Sequence, residues 1–312
     1  MDEILHVALK DLHDVGVEIA PGDGLCDLEY ADDIICLFES AESAQLVLDK
    51  LGEAVKPFGM RFAPSKCKVL LQDWVSPTPS LKLDTQSLDI VDSFTYLGSV
   101  ITNDGSIDGE MGIRITKARA AYAGLRHLWR NKNVSLKIKG RVYNASVRSV
   151  LMYGCETWSL RSEDTRRLEA FDHRCLRQLA GVRFEDRVSN AEVRNRVLGD
   201  KVGEKALGHR IELSRLRWLG HVLRMQSSRR PNRTLFTAPG VGLKKPRGGQ
   251  KMTWPRGMKV CTANPGKVGA SVRLPGWGPK DEPTKWLETL GDMAMNRPQW
   301  RSCCHFLSGL SV

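Results

Sequence analysis

Between Leu25 and Ser40 the chain reads LCDLEYADDIICLFES, and in the middle of this otherwise apolar run Asp32 stands next to Asp33. Two carboxylates side by side serve one of two ends. Their oxygens bond the local backbone, which is why aspartate favours turns, or they carry chemistry as a pair. The flanking residues say how the pair is presented. Leu25, Asp27 and Glu29 alternate with Cys26, Leu28 and Tyr30, and Ile34 to Phe38 is apolar again. The stretch reads as strand, tight turn, strand, with the aspartates at or beside the turn.

The elements around this turn follow from spacing. A helical pattern at Ile4, Leu5, Leu9 and Leu12 ends at Gly16, Val17 to Ile19 reads as a brief strand, and Pro21-Gly22-Asp23-Gly24 as a turn. Ala44, Leu48, Leu51 and Val55 mark an amphipathic helix over Ala41 to Phe58, stopped by Pro57 and Gly59. Strands follow at Lys68 to Leu71 and Ser93 to Ile101. Helices come next: one through Ile113, Ala121, Leu125 and Trp129, a second capped by Ser135, a third capped by Ser162 and reaching Gly181. Ser189-x-x-Glu192 is a capping box for a fourth, ending at Gly199, and Gly203 to Met225 is a fifth. Pro, Gly, Lys and Arg then dominate, as a linker or weakly ordered basic region, before a last helical piece from Glu282 to Phe306. The fold class expected is α+β. Its divisions are 1–105 for a small antiparallel sheet with helices, 106–182 helical, 183–225 helical, 226–280 linker and 281–312 a terminal helix.

Charge points to a partner. The 312 residues hold 47 Lys plus Arg against 36 Asp plus Glu, a formal net charge of +11, and such a balance favours polyanions, nucleic acid above all. The excess is segregated. No acidic residue lies between Met111 and Cys155, a stretch with Arg114, Lys117, Arg126, Arg130, Lys137, Lys139 and Arg141, and a second acid-free run extends from Leu213 to Lys280. Such runs suit a phosphate backbone. The eight cysteines are scattered and no leading apolar segment resembles a signal peptide, which favours a reduced intracellular setting, nuclear or cytoplasmic. No apolar run is long enough for a membrane span. His173 with Cys175, and Cys303-Cys304-His305, lack the paired Cys-x-x-Cys spacing of a zinc site.

Four blocks then stand in a telling order: YADD at Tyr30 to Asp33, a helix ending PFGM at Pro57 to Met60, SKCK at Ser65 to Lys68, and FTYLGSVI at Phe94 to Ile101. In this order the chain resembles the palm of reverse transcriptases of non-long-terminal-repeat retrotransposons, and RWLGHVLRM at Arg217 to Met225 resembles their C-terminal portion. The resemblance implies an RNA-directed DNA polymerase in which two divalent cations clamp the attacking and leaving oxygens. Asp32 would be a ligand of Mg2+ or Mn2+, with Asp33 its less strictly required neighbour. Tyr30 would lie beside the primer end. Lys66 would balance phosphate charge and protonate the departing pyrophosphate. Phe94, Tyr96, Leu97 and Gly98 would form a primer grip, and the helices after it a thumb whose Arg114, Lys117, Arg126, Arg130, Lys137, Lys139 and Arg141, with aromatics such as Trp129, hold the RNA/DNA template-primer without reading sequence.

Where the match stops also matters. Fingers, a first palm block with a third metal-binding aspartate, and the block lining the nucleotide pocket do not fit in the 29 residues before Tyr30, and an endonuclease domain is missing too. The expectation is a C-terminal fragment of a retrotransposon endonuclease-reverse transcriptase, inactive as a nucleotidyltransferase unless a missing N-terminal half is supplied. Its alternatives are a non-catalytic nucleic-acid-binding remnant or an unselected truncated open reading frame.

Overall fold

In the computed structural model residues 16–20, 23–199, 206–236, 253–263 and 275–310 are described. The fold is α+β. The helical pattern expected around Leu9 lies outside the described residues, as do parts of the Pro21-Gly22 turn and of the basic stretch after Phe236. Residues up to Ser106 belong to one compact unit, and the described residues from Ile107 onward to a second.

In the first unit, β1 (Val17–Ala20) pairs antiparallel with β2 (Asp23–Leu25), and β3 (Asp27–Tyr30) with β4 (Asp33–Cys36). The period of two puts Ile34, Cys36 and Phe38 on one side, where they pack with Val47 and Leu51 of helix α1 (Ala41–Ala54). This contact seats the hairpin. Ser40 caps α1, its Oγ accepting from the Ser43 N–H at 3.1 Å, and the helix tightens into a 3-10 turn, Lys56–Phe58, that Gly59 ends at φ 67°. Strand β5 (Lys68–Leu70) lies parallel to β8 (Asp89–Val91), with a small antiparallel pair, β6 (Lys82–Leu83) and β7 (Gln86–Ser87), between them in sequence. The strand expected at Ser93 to Ile101 is a hairpin, β9 (Ser93–Tyr96) and β10 (Ser99–Thr102). Leu97 and Gly98 turn it with φ of 48° and 82°, the doubly positive pattern of a type I′ turn.

The second unit is helical. Helix α2 (Asp108–Gly124) is followed by the short α3 (Arg126–Arg130), the break falling at Leu125, where a single helix was expected. Helix α4 (Leu136–Tyr143), capped by Ser135 as its sequence suggests, runs on through a π-turn at Asn144–Arg148. In α5 (Ser162–Ala180) the cap sits one residue earlier than expected, at Arg161, because Asp164 reaches back to accept from the Arg161 N–H at 2.9 Å. Helix α6 (Asn190–Leu198) forms half of its capping box. Ser189 accepts from the Glu192 N–H, but the Glu192 carboxylate turns to Arg196 at 2.9 Å. Met111, Tyr143, Val147, Leu151, Leu168 and Leu176, with residues of α6 and of α7 (Leu207–Leu223), form one core. Gly140 lets α4 meet α6: a Cβ there would lie 1.9 Å from the Val197 carbonyl oxygen.

A second core in this unit gathers Leu216, Leu219 and Leu223 of α7 around Trp286, Leu290, Trp300 and Leu307. Two helices stand inside the stretch expected as a linker, α8 (Arg230–Phe236) and α9 (Trp254–Cys261). Met258 of α9 is fully buried in that core. The glycines and prolines nearby hid its apolar spacing, although Thr253 caps it and Pro255 suits its first turn. The terminal helical piece is two helices, α10 (Lys285–Met295) and α11 (Arg297–Leu310), divided at Asn296. Trp300 donates its indole N–H to the Leu216 carbonyl at 3.2 Å, passing over Gly220, where any Cβ would overlap the ring.

Candidate nucleic-acid interface and carboxylate turn

The Asp-Asp hairpin closes through a two-residue turn, since Tyr30 pairs with Asp33 and leaves Ala31 and Asp32 between them. Ala31 takes φ 56° while Asp32 does not go positive, so the first turn residue adopts a backbone conformation usually left to glycine. A positive φ at alanine costs on the order of 1–2 kcal/mol. Asp32 and Asp33 are both exposed, and neither carboxylate accepts a hydrogen bond among the described residues. They are therefore not serving the turn as backbone acceptors.

The pair supplies oxygen donors of the kind Mg2+ takes. No group of three or more His, Cys, Asp or Glu side chains fit to hold a metal occurs among the described residues, however. Two carboxylates from adjacent residues fall short of a full two-metal clamp.

Two sequence blocks come together here. The Tyr96 hydroxyl of the β9–β10 hairpin makes a long, 3.5 Å hydrogen bond to the Leu28 carbonyl of β3. Desolvation, and after it the charge of Asp33, push the Tyr96 hydroxyl above its ordinary pKa. Tyr30 projects at 63% exposure and Leu97 at 40%, while Phe94 and Gly98 are half-buried. Lys66 ends a 3-10 turn, Pro64–Lys66, and its exposed side chain makes no hydrogen bond or ion pair to another described residue. Lys68, by contrast, is tied across the parallel strands to Asp89 at 2.7 Å. No hydrogen bond links Lys66 to the aspartate turn among the described residues.

The basic run divides in the fold. Lys117, Arg126, Arg130, Lys137 and Arg141 are exposed. Arg114 and Lys139 are corrections to the expected interface. Arg114 is buried, paired with Glu110 one turn earlier on α2, and lies 4.5 Å over the Tyr153 ring. Lys139 is buried with its ammonium donating to the Trp129 carbonyl at 2.9 Å, which closes the end of α3. Trp129 is likewise engaged, stacked on Tyr122 at 5.4 Å and donating to the Tyr122 carbonyl. Its ring packs the helices together.

Sequence reasoning missed a basic groove on α5, of about 560 Å3, lined among others by Arg166, Arg174 and Arg177. Acidic residues are interleaved along α5, so a search for acid-free runs passes over it. The spacing of Arg166 and Arg174, two helical turns apart on one face, was the available signal.

A protein of Caenorhabditis elegans named an uncharacterized transposon-derived protein is 25% identical to this chain over 214 residues, 67% of this chain and 75% of that protein. No protein-family model matches the chain. No solved structure matches it either. No helix among the described residues is long and apolar enough to cross a membrane.

Proposed function

We propose that this chain is transposon-derived and is the carboxylate-turn and thumb part of a retrotransposon RNA-directed DNA polymerase, holding an RNA/DNA template-primer. The observation that carries the reading is the meeting of the two hairpins, Tyr96 against β3 beside an exposed Asp32–Asp33 pair. Likeness to a protein named as transposon-derived supports the origin, and the exposed lysines and arginines of α2 to α4 support the grip on phosphate.

The roles of the chain's own residues follow from their placement. Tyr30, Tyr96 and Leu97 offer a surface beside the aspartates for the terminal primer nucleotide. Lys66 supplies an exposed cation for phosphate charge. When bound, Mg2+ or Mn2+ would neutralise phosphate charge at Asp32 and Asp33, and a third carboxylate must come from outside the described residues. The chain by itself is therefore expected to bind template-primer and to extend it undetectably. The alternative of a purely binding remnant keeps the same grip and drops the cation.

Thermal unfolding with and without divalent cation tests the pair. In metal-free buffer Asp32→Asn with Asp33→Asn is expected to leave the melting temperature unchanged or slightly raised, because the change relieves two like charges that bond nothing locally. Mg2+ or Mn2+ at a concentration equal to its dissociation constant is expected to stabilise the parent chain by about 0.4 kcal/mol. The double variant should lose that gain. A clear fall in melting temperature for the variant, with no cation effect in the parent, would contradict the metal reading.

A further inference from the structure

Along α5 the sequence SEDTRRLEAFDHRCLRQLA mixes acids and bases, and the fold sorts them. Asp164 turns in at the helix start and Asp172 is fully buried against Arg148 and Tyr143. Glu169 accepts from the Gly208 N–H at 3.1 Å, so its charge is set against the N-terminal end of the α7 dipole. Arg167 reaches Asp108 at 3.4 Å. What remains toward solvent is Glu163 in the first turn, where the helix dipole favours an acid, and beyond it the groove lined by Arg166, Glu169, Ala170, His173, Arg174 and Arg177.

Its parts differ in commitment. Arg177 is anchored, donating to the carbonyls of Arg183 at 2.7 Å and Val188 at 2.8 Å. It also lies 3.5 Å from the Asn190 side-chain oxygen, which turns the Asn190 amide nitrogen toward His173 Nδ1 at 3.2 Å. His173 Nε2 is buried and meets no hydrogen-bond partner among the described residues. The Arg166 and Arg174 side chains are exposed and make no hydrogen bond or ion pair with another described residue. They stand eight residues apart, about 12 Å along the helix axis, with the small Ala170 between them. Measured along a duplex axis, that span is three to four base-pair rises of about 3.4 Å each.

We infer that this groove is a phosphate-backbone site, in which Arg166 and Arg174 hold separate phosphates of one nucleic-acid strand over the floor made by Ala170. The inference rests on the proposed grip on nucleic acid but places a contact outside the acid-free runs. Glu169 does not repel the strand strongly, because its carboxylate is engaged by α7.

The probe is an end-labelled RNA–DNA duplex, titrated by fluorescence anisotropy at several potassium chloride concentrations with the full chain and with Arg166→Gln plus Arg174→Gln. The variant is expected to keep the parent's unfolding midpoint and to show a slope of log affinity against log salt shallower by about 1.8, at about 0.9 per phosphate contact. A parent-like slope would overturn the groove assignment and leave binding by the other helices standing. Absence of any duplex binding by the parent would instead remove the underlying reading. Saturable binding of inorganic pyrophosphate that requires these two arginines, with an unchanged duplex slope, would assign the groove to a small anion and overturn the strand proposal.

Discussion

Replacing Asp172 by Asn is expected to cost the second unit about 3–5 kcal/mol of stability. Arg148 lies wholly buried and donates from Nε and Nη2 to the two Asp172 oxygens, at 2.8 and 2.7 Å. Tyr143 adds its hydroxyl to Oδ1 at 2.9 Å. Burial, and then the Asp172 charge, push the Tyr143 hydroxyl far above its ordinary pKa, so it remains a donor throughout the working range. Removing the carboxylate charge leaves a guanidinium buried without its counter-ion, and the desolvation that the pair offset is then uncompensated. Chemical denaturation followed by tryptophan fluorescence measures the loss. The joint change Arg148→Met and Asp172→Leu removes both charges and should recover part of it, since an apolar pair of similar volume carries no charge penalty and only the Tyr143 hydroxyl loses its Asp172 acceptor. A single Asp172→Asn variant as stable as the parent would show that the network is not what holds α5 to the π-turn.

The second large effect concerns the exposed bases. Neutralising Arg126, Arg130, Lys137 and Arg141 together is expected to flatten the slope of log affinity for an RNA–DNA duplex against log salt by about 3–4, since each lost phosphate contact is worth about 0.9. These four side chains are exposed on α3 and α4, so folding should be little affected. The same measurement on Arg114→Gln would be misleading. Arg114 is paired with Glu110 inside the fold, and its loss acts on stability first. An unchanged slope in the fourfold variant would show that α3 and α4 do not face the strand.

The sequence made the carboxylate hairpin legible because two signals agreed: alternation on both sides and a turn residue pair between them. Helix caps at Ser135 and Ser189 are similarly legible, each a serine just before an apolar periodic run, and Ser40 caps α1 in the same way. The β9–β10 hairpin was harder to see as two strands, because Leu97 adopts a positive φ that leucine rarely takes and only Gly98 signals the turn. The misplaced basic residues have a specific cause. The acid-free window opens one residue after Glu110, the partner that takes Arg114 into the core. Composition counts charges along the chain, while the helix period decides which of them reach solvent. The α5 groove is the converse case, in which Asp164 and Asp172 are turned inward and Glu169 is engaged by α7, so that exposed arginines stand on a helix whose composition is mixed.

The central claim is that the Asp32–Asp33 hairpin and the Leu97–Gly98 hairpin together receive a primer terminus. A DNA primer with a photoreactive base at its 3′ end, annealed to an RNA template and bound to the full chain, tests this directly, with the cross-linked peptides located by mass spectrometry. The account predicts cross-links within residues 27–36 and 93–102, centred on Tyr30 and Tyr96. Cross-links confined to other segments, from a template-primer shown to be bound, would contradict it.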